Sequence, residues 1–442
     1  MVSSLPEPNE EVPLPRRPVT ILCAGAYGIR NAGDDLPLLC LMESMRTFLP
    51  TADLRFRVLS RHPDPWEEER YGVAMVKNLE YDTAEEARGR KFLGFNEGDD
   101  PAHLERIKRE IAACNLLVLG AGNALIDITI GDMRGPIPLM ALYGSLASQA
   151  RKPVMLYGMS VGPLRTPLGR HLTEGLLRTA AVITVRDLDS ARLCRSLLGG
   201  RPSKPGDRMP YIHVLPDATL GAESPGPLRA REVFAQEGML PLPDRPLIAL
   251  GLRDLARPVS QEAQRRLEDG ILGMMAAMKH EAAFLFIPQS TYVTDDDRIL
   301  ARRLAAAAPA GVQCRVIEQR HHPLDLIALY GAARATLAVR LHAAVFSAIA
   351  GTPFGAISYL PKVTGFLEQA GCTEAGLGPW DVTPDSLTSL MRGRLEATAE
   401  ERFDLGERVR ELRKRTPLYA LLALTKGVRA NLGGDVEPEA ET

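Results

Sequence analysis

The chain has 442 residues, 45% of them apolar and 24% charged, with a formal charge of −2. That length exceeds one ordinary core and predicts two domains, while the apolar share excludes a disordered chain. The near-neutral balance excludes a global basic field, so no nucleic acid partner is expected and any anion must be held by a local cluster.

MVSSLPEPNEEVPLPRRP (1–18) is rich in Pro and Glu without an apolar h-region, which predicts a disordered lead-in and not a signal peptide. VTILCAGAYG (19–28) reads as a strand ending in glycines, IRNAGDD as the turn after it, and LPLLCLMESMRTFL (36–49) as a helix. Such a unit aims backbone N–H groups at a ligand. Gly25, Gly28 and Gly33 do not spell GxGxxG, which argues against a nicotinamide or flavin. Asp34 and Asp35 suit a helix cap, and one cap leaves Asn31 and the other aspartate to face the turn.

Further strands are expected at NLLVLGAGNALID (115–127), PVMLYGMSVGPL (153–164), VITVRD (182–187) and IHVLPDATLG (212–221), with helices between them. Their alternation predicts a parallel sheet covered on both faces, with ligands at the carboxyl ends of the strands, where Gly120, Gly122 and Arg186 fall. AESPGP (222–227) marks a boundary, so residues 19–225 are expected to form one domain and residues 226–383 the next. The second domain opens with PLIALGLRD (246–254) and a helix from Ser260 to about Lys279. It continues through FLFIPQ (284–289), whose Gln289 stands at a strand end, and CRVIEQ (314–319). A helical segment is expected over 384–431 and an acidic tail over 432–442. The fold class is α/β, two Rossmann-like domains facing each other across a cleft.

The six cysteines show no CxxC or Cys/His spacing and are expected as small buried hydrophobes in a reducing, cytoplasmic setting. No run approaches the ~18 apolar residues of a membrane span. No metal site is expected. Asp187-Leu188-Asp189 and Asp295-Asp296-Asp297 each open a helix, where acidic residues favour the dipole, and His321-His322 lacks an i, i+4 partner.

LAVRLHAAVFSAIAGTPFGAISYLPKV (337–363) sets Arg340, His342 and Lys362 into an apolar run. Buried charge needs a partner. Arg340 could meet a structural carboxylate, His342 could be a satisfied core residue and Lys362 could open a surface helix. All three could instead share an anionic ligand.

Taken together, these motifs resemble the polysaccharide pyruvyl transferase family. AGAYGIRNAGDDLPLL resembles its opening block, LLVLGAGNALID its Gly-rich second loop, and MLYGMSVGPL its Gly-Pro segment. VITVRDLDSARLCRSLLG resembles its Val-Arg-Asp block and VLPDATL an Asp-Pro-Ala type strand end, while AVRLHAAVFSAIAGTPFGAISYLPKVTGFLEQAG is the closest match. The pattern is broken at Gly120-Ala121-Gly122-Asn123, at Ala26 before Tyr27, and at Leu360 where an acidic residue is usual.

The resemblance implies a glycosyltransferase B-like fold with the acceptor on the first domain and the donor on the second. It also implies transfer of a pyruvyl group from phosphoenolpyruvate onto two sugar hydroxyls as a ketal, without a cofactor. Arg186, Arg340 and Lys362 then suit the donor's carboxylate and phosphate, with Gln289 beside them. His342 suits proton delivery to the methylene carbon, and Asp34 suits deprotonation of the acceptor hydroxyl. Asn31, Gly33, Tyr27, Gly122 and Asn123 are expected around the acceptor, and Asp217 either behind His342 or a cationic anchor or in a capping or turn role. The acceptor would be a glycan or lipid-linked saccharide, the latter bringing the chain to a membrane surface. Two other readings stand beside this one: a nucleotide-sugar glycosyltransferase of the same fold, and a non-catalytic relative in glycan assembly.

Overall fold

The computed structural model describes residues 18–83, 85–127, 130, 133, 135–199 and 210–428. The expected lead-in before Pro18 and the expected tail at 432–442 lie outside the described residues.

Runs of Val, Ile and Leu form strands buried on both faces, as a helix-covered parallel sheet requires. The first domain contains Val19–Ala24 (β1), Leu54–Ser60 (β2), Ala74–Lys77 (β3), Leu116–Leu125 (β4), Val154–Val161 (β5), Val182–Val185 (β6) and Ile212–Val214 (β7). They pair in parallel in the order β3-β2-β1-β4-β5-β6-β7. Its helices are Ala32–Phe48 (α1), Pro65–Tyr71 (α2), Pro101–Ala113 (α3), Pro136–Gln149 (α4), Pro167–Thr179 (α5) and Leu188–Leu198 (α6). Strand order reverses between β1 and β4, which opens a crevice at their carboxyl ends.

The second domain repeats the plan. Its strands are Leu247–Gly251 (β8), Ala283–Phe286 (β9), the hairpin arms Thr291–Tyr292 (β10) and Asp295–Asp296 (β11), Cys314–Val316 (β12), Ala335–Ala338 (β13), Phe354–Ile357 (β14) and Gly376–Leu377 (β15). Six of them form a parallel sheet in the order β12-β9-β8-β13-β14-β15. The helices after β7 are Pro227–Gln236 (α7), Gln261–Ala277 (α8), Asp297–Ala306 (α9), Pro323–Ala332 (α10), Leu341–Ile349 (α11), Pro361–Ala370 (α12), Pro384–Leu395 (α13), Ala399–Arg413 (α14) and Pro417–Leu422 (α15). No helix among the described residues is long and apolar enough to cross a membrane.

Two expectations are corrected. α1 starts at Ala32, inside the expected turn, and its cap is Asn31, whose side chain accepts from the Gly33 amide at 3.1 Å. An aspartate is therefore not the cap, because Asn31 already satisfies the first free N–H. The stretch 212–221 is not one strand. Pro216 has no N–H to extend the ladder, and Asp217 instead opens a 3-10 turn by accepting from the Thr219 amide at 3.0 Å.

The described part of the stretch 384–431 is helical, with three α-helices, and its last three residues lie outside the described ones. Thr383 and Thr398 form capping boxes and Pro417 stands in the first turn of α15, so the chain restarts three times. α15 then crosses back to the first domain. Tyr419 packs edge-on to Tyr157 at 4.9 Å and its hydroxyl donates to the Pro216 carbonyl at 2.8 Å.

Main-chain bonds hold the domains together beside the cleft. Ala32 donates to the Gln289 carbonyl at 2.9 Å, and Thr291 donates to the Arg30 carbonyl at 3.0 Å. Nearby, Arg320 of the second domain pairs with Asp64 at 2.9 Å and with Glu67, and lies 4.1 Å over the Trp66 ring.

Candidate active site

A cavity of about 390 Å³ lies between the sheets, at the carboxyl ends of β1 and β4 on one side and of β8 and β13 on the other. Eight of the expected residues meet on its wall: Tyr27, Asn31, Asp34, Gly122, Arg186, Arg340, His342 and Lys362. They come from parts of the chain more than 300 residues apart.

Each is delivered by a strand end or a helix start. Arg186 follows β6; its Nη1 pairs with Asp217 at 2.7 Å and its Nε donates to the Ser160 hydroxyl at 2.6 Å. Arg340 lies between β13 and α11. Its Nε and Nη2 reach the two oxygens of Asp297 at 2.6 Å each, and Nη2 also meets Asp295 at 2.8 Å. The structural-carboxylate option for Arg340 therefore holds, and the guanidinium still borders the cavity.

His342 sits in the first turn of α11, packed onto the first turn of α1. A Cβ added at Gly33 would come within 1.9 Å of its Nδ1, so only glycine lets the two helices meet here. Burial pushes the imidazole pKa down to about 3; Asp217 opposes this, while Arg186, Lys362 and Arg340 add to it. The free protein thus holds His342 neutral near pH 7.

Lys362 lies in the first turn of α12 and makes no ion pair among the described residues. Burial, and then Arg186, bring its ammonium down to about 8 against the pull of Asp34. Asp34 stands in the first turn of α1, and its Oδ1 is 3.6 Å from where a Cβ on Gly122 would be. Burial raises its pKa against the pull of Lys362, Arg340 and Arg186. Tyr27 also has a supporting role, since its hydroxyl donates to the Gly120 carbonyl at 2.6 Å and so holds the glycine loop of β4.

Not every expected residue reaches the wall. Gly33 lies beneath His342. Asp217 lies behind the anchor Arg186, where its neighbours Arg186 and His342 and the hydrogen bonds from Thr219 outweigh burial and hold it down at about 2. Gln289 is displaced from the donor side. Its carbonyl is taken by Ala32, and its side chain borders a small separate pocket with Asp35, Tyr71 and Arg320. Asn123 lies in β4, with its side chain outside what is described.

Conversely, Arg253, Arg61, Asp295 and Tyr359 line the cavity although the sequence reading did not select them. Arg253 carried a usable signal: like Arg186, it is a cation just past a fully buried strand.

Chemically, the wall combines cations, one neutral imidazole and carboxyl groups, Asp34 and Asp295 among them. It can hold a small multiply charged anion and move protons at its edge.

The sequence pattern of the family described as Polysaccharide pyruvyl transferase matches residues 31–361, well over half of the 442. The chain is 21% identical over 397 residues to the amylovoran biosynthesis protein AmsJ of Erwinia amylovora, covering 85% of this chain and 92% of that protein. Among solved structures, Anabaena HepE in complex with UDP and glucose superposes with a TM-score of 0.54 at 11% identity, over 94% of this chain and 99% of that one. A putative UDP-N-acetylglucosamine 2-epimerase of Listeria monocytogenes gives 0.56 at 9% identity, over 94% and 98%. The α,α-trehalose 6-phosphate synthase of Burkholderia multivorans gives 0.55 at 12%, over 95% and 100%. These structures share the fold of two Rossmann-like domains. Because the family match runs across both domains and includes Arg186, Arg340 and His342, the chain belongs to the polysaccharide pyruvyl transferase family and is a transferase of polysaccharide biosynthesis.

Proposed function

We propose that the enzyme transfers the pyruvyl group of phosphoenolpyruvate to two hydroxyls of one sugar in a polysaccharide or its lipid-linked precursor. The observation that carries this reading is His342 set among Arg186, Arg340 and Lys362, opposite Asp34, on one cavity wall. The donor has a carboxylate and a phosphate, and the cations match that charge. Arg340 and Leu360 cap α11 and α12 without a side-chain hydrogen bond, so two helix N-termini add N–H groups on the same side.

Bound donor brings negative charge beside His342 and raises the imidazole pKa from its free value, so that it can carry a proton. His342 gives that proton to the methylene carbon, which becomes a methyl group. Asp34 draws the proton from a sugar hydroxyl as the oxygen bonds to the donor's central carbon. The second hydroxyl then bonds to the same carbon as the phosphate oxygen leaves. Of the two hydroxyl protons, one replaces that spent on the methyl group and one leaves with phosphate.

A second reading, transfer from a nucleotide sugar, draws support from fold relatives such as HepE with UDP and glucose. Thermal-shift titration separates the two readings. Stabilisation by phosphoenolpyruvate but not uridine diphosphate, with phosphate release on adding an oligosaccharide, is the expected result. The reverse pattern would replace the pyruvyl reading with the second one.

A further inference from the structure

The cations on the wall are not equivalent. Arg340 is engaged by both oxygens of Asp297, and Arg186 by Asp217 and Ser160. Asp297 and Asp217 are 4% and 6% exposed, so turning either arginine onto a ligand would strand a buried carboxylate. Both are better suited to stay where they are and shape the field.

Arg253 differs from them. It lies two residues past β8, and its Nη1 donates to the Tyr359 hydroxyl at 3.2 Å. Its nearest carboxylate is Asp295, 3.7 Å from Nη2, and its buried Nε has no acceptor among the described residues. Asp295 is 38% exposed and also meets Arg340 at 2.8 Å. One loosely held carboxylate on β11 therefore bridges two cations of the wall, in the position that an anionic group of a ligand would take. A pair so exposed is weak, and exchanging it for a doubly charged ligand group is favourable.

We infer that Arg253 and Lys362 take the two anionic groups of the donor, and that Asp295 is a built-in counter-ion displaced from Arg253 as the donor binds. This rests on the proposed function only in naming phosphoenolpyruvate as the anion. The tether of β10 to the first domain, through Tyr292 to His62 at 2.9 Å and Thr291 to Arg30 at 3.0 Å, lets the Asp295 side chain turn away without releasing the hairpin.

The test is calorimetric titration of wild type, Arg253→Met, Arg253→Lys and Asp295→Asn with phosphoenolpyruvate, uridine diphosphate and inorganic phosphate. Arg253→Met is expected to weaken phosphoenolpyruvate by about 10- to 100-fold, the loss of charge-assisted hydrogen bonds. Arg253→Lys should recover part of that loss, and Asp295→Asn should bind more tightly than wild type. Arg253→Met and Arg253→Lys binding as wild type does would overturn the role of Arg253, and weaker binding by Asp295→Asn would overturn the counter-ion. If wild type takes uridine diphosphate and not phosphoenolpyruvate, the pyruvyl reading fails, while a loss in Arg253→Met still supports the anion site. A wild type that binds none of the three overturns the inference.

Discussion

At the scale of single residues, the cavity is built from groups moved away from their usual protonation. His342 is held neutral, opposite to the role proposed for it, while burial raises the Asp34 pKa against the pull of Lys362, Arg340 and Arg186. The negative charge of bound donor raises the imidazole pKa, which makes proton delivery by His342 conditional on a filled site. His342→Ala is expected to abolish phosphate release while keeping thermal stabilisation by phosphoenolpyruvate; near-native turnover would remove the imidazole from the mechanism.

Lys362 gives a pH dependence whose sign follows from its depressed pKa. Its folded value of about 8 lies below the ordinary 10.5, so the ammonium disappears from the empty site as pH rises through about 8. Donor binding restores the charge by taking up a proton, so KM for phosphoenolpyruvate should climb above pH 8. Lys362→Arg keeps its charge there and should flatten the climb; an unchanged KM profile in that variant would assign the limb to another group. Gly33→Ala should cut kcat, because the added methyl would collide with the His342 ring that the reaction uses.

At the scale of elements, the site is made by strand ends and helix starts. α11 is buried and short; Arg340 caps its start and His342 lies in its first turn, just past the end of β13. α15 works at a distance from the chemistry, closing the first domain with residues from the far end of the described chain. Tyr419 is 2% exposed and packs on Tyr157 behind the sheet. Tyr419→Ala is expected to cost about 3–5 kcal/mol in urea unfolding, the range for deleting a large buried aromatic side chain. Tyr419→Phe should cost about 1 kcal/mol for its one hydrogen bond to Pro216. A loss below that in both variants would mean that α15 only rests on the surface.

At the scale of the whole molecule, the two domains are joined by charge as well as by backbone. Glu67 is fully buried and faces Arg320 from across the interface, and Asp35 lies next to it, hydrogen-bonded by Tyr71 at 3.0 Å. Burial raises the pKa of Glu67 and of Asp35, while Arg320 lowers both. Arg320→Met strands these carboxylates and should cost about 3–5 kcal/mol near neutral pH. A raised carboxyl pKa means that the folded state holds its proton more tightly, so the penalty should shrink as pH falls and Glu67 protonates. Unfolding curves at several pH values check this, and a penalty that is constant or grows toward acid would show that the pair does not bear on folding.

The fold class and most of the cavity wall were legible in the sequence, because strand-helix alternation and cations at the ends of apolar runs are local patterns. Arg186, Arg340, His342 and Lys362 stood out as charge where charge is costly. Gln289 was misread because a strand end says that a residue lies at the edge of its sheet, not on which side of α1 it falls. The return of α15 and the commitment of Arg340 to Asp297 depend on contacts between distant segments, for which periodicity carries no signal. Arg253 shares the strand-end position of Arg186, but only the folded chain sets it on the cavity wall with Lys362 and Asp295. Sequence by itself determined which segments become strands and helices, through spacing and burial preference. Tertiary structure alone decided which charges already have partners and which remain for a ligand, because ion pairing depends on distances of a few ångströms that only packing sets.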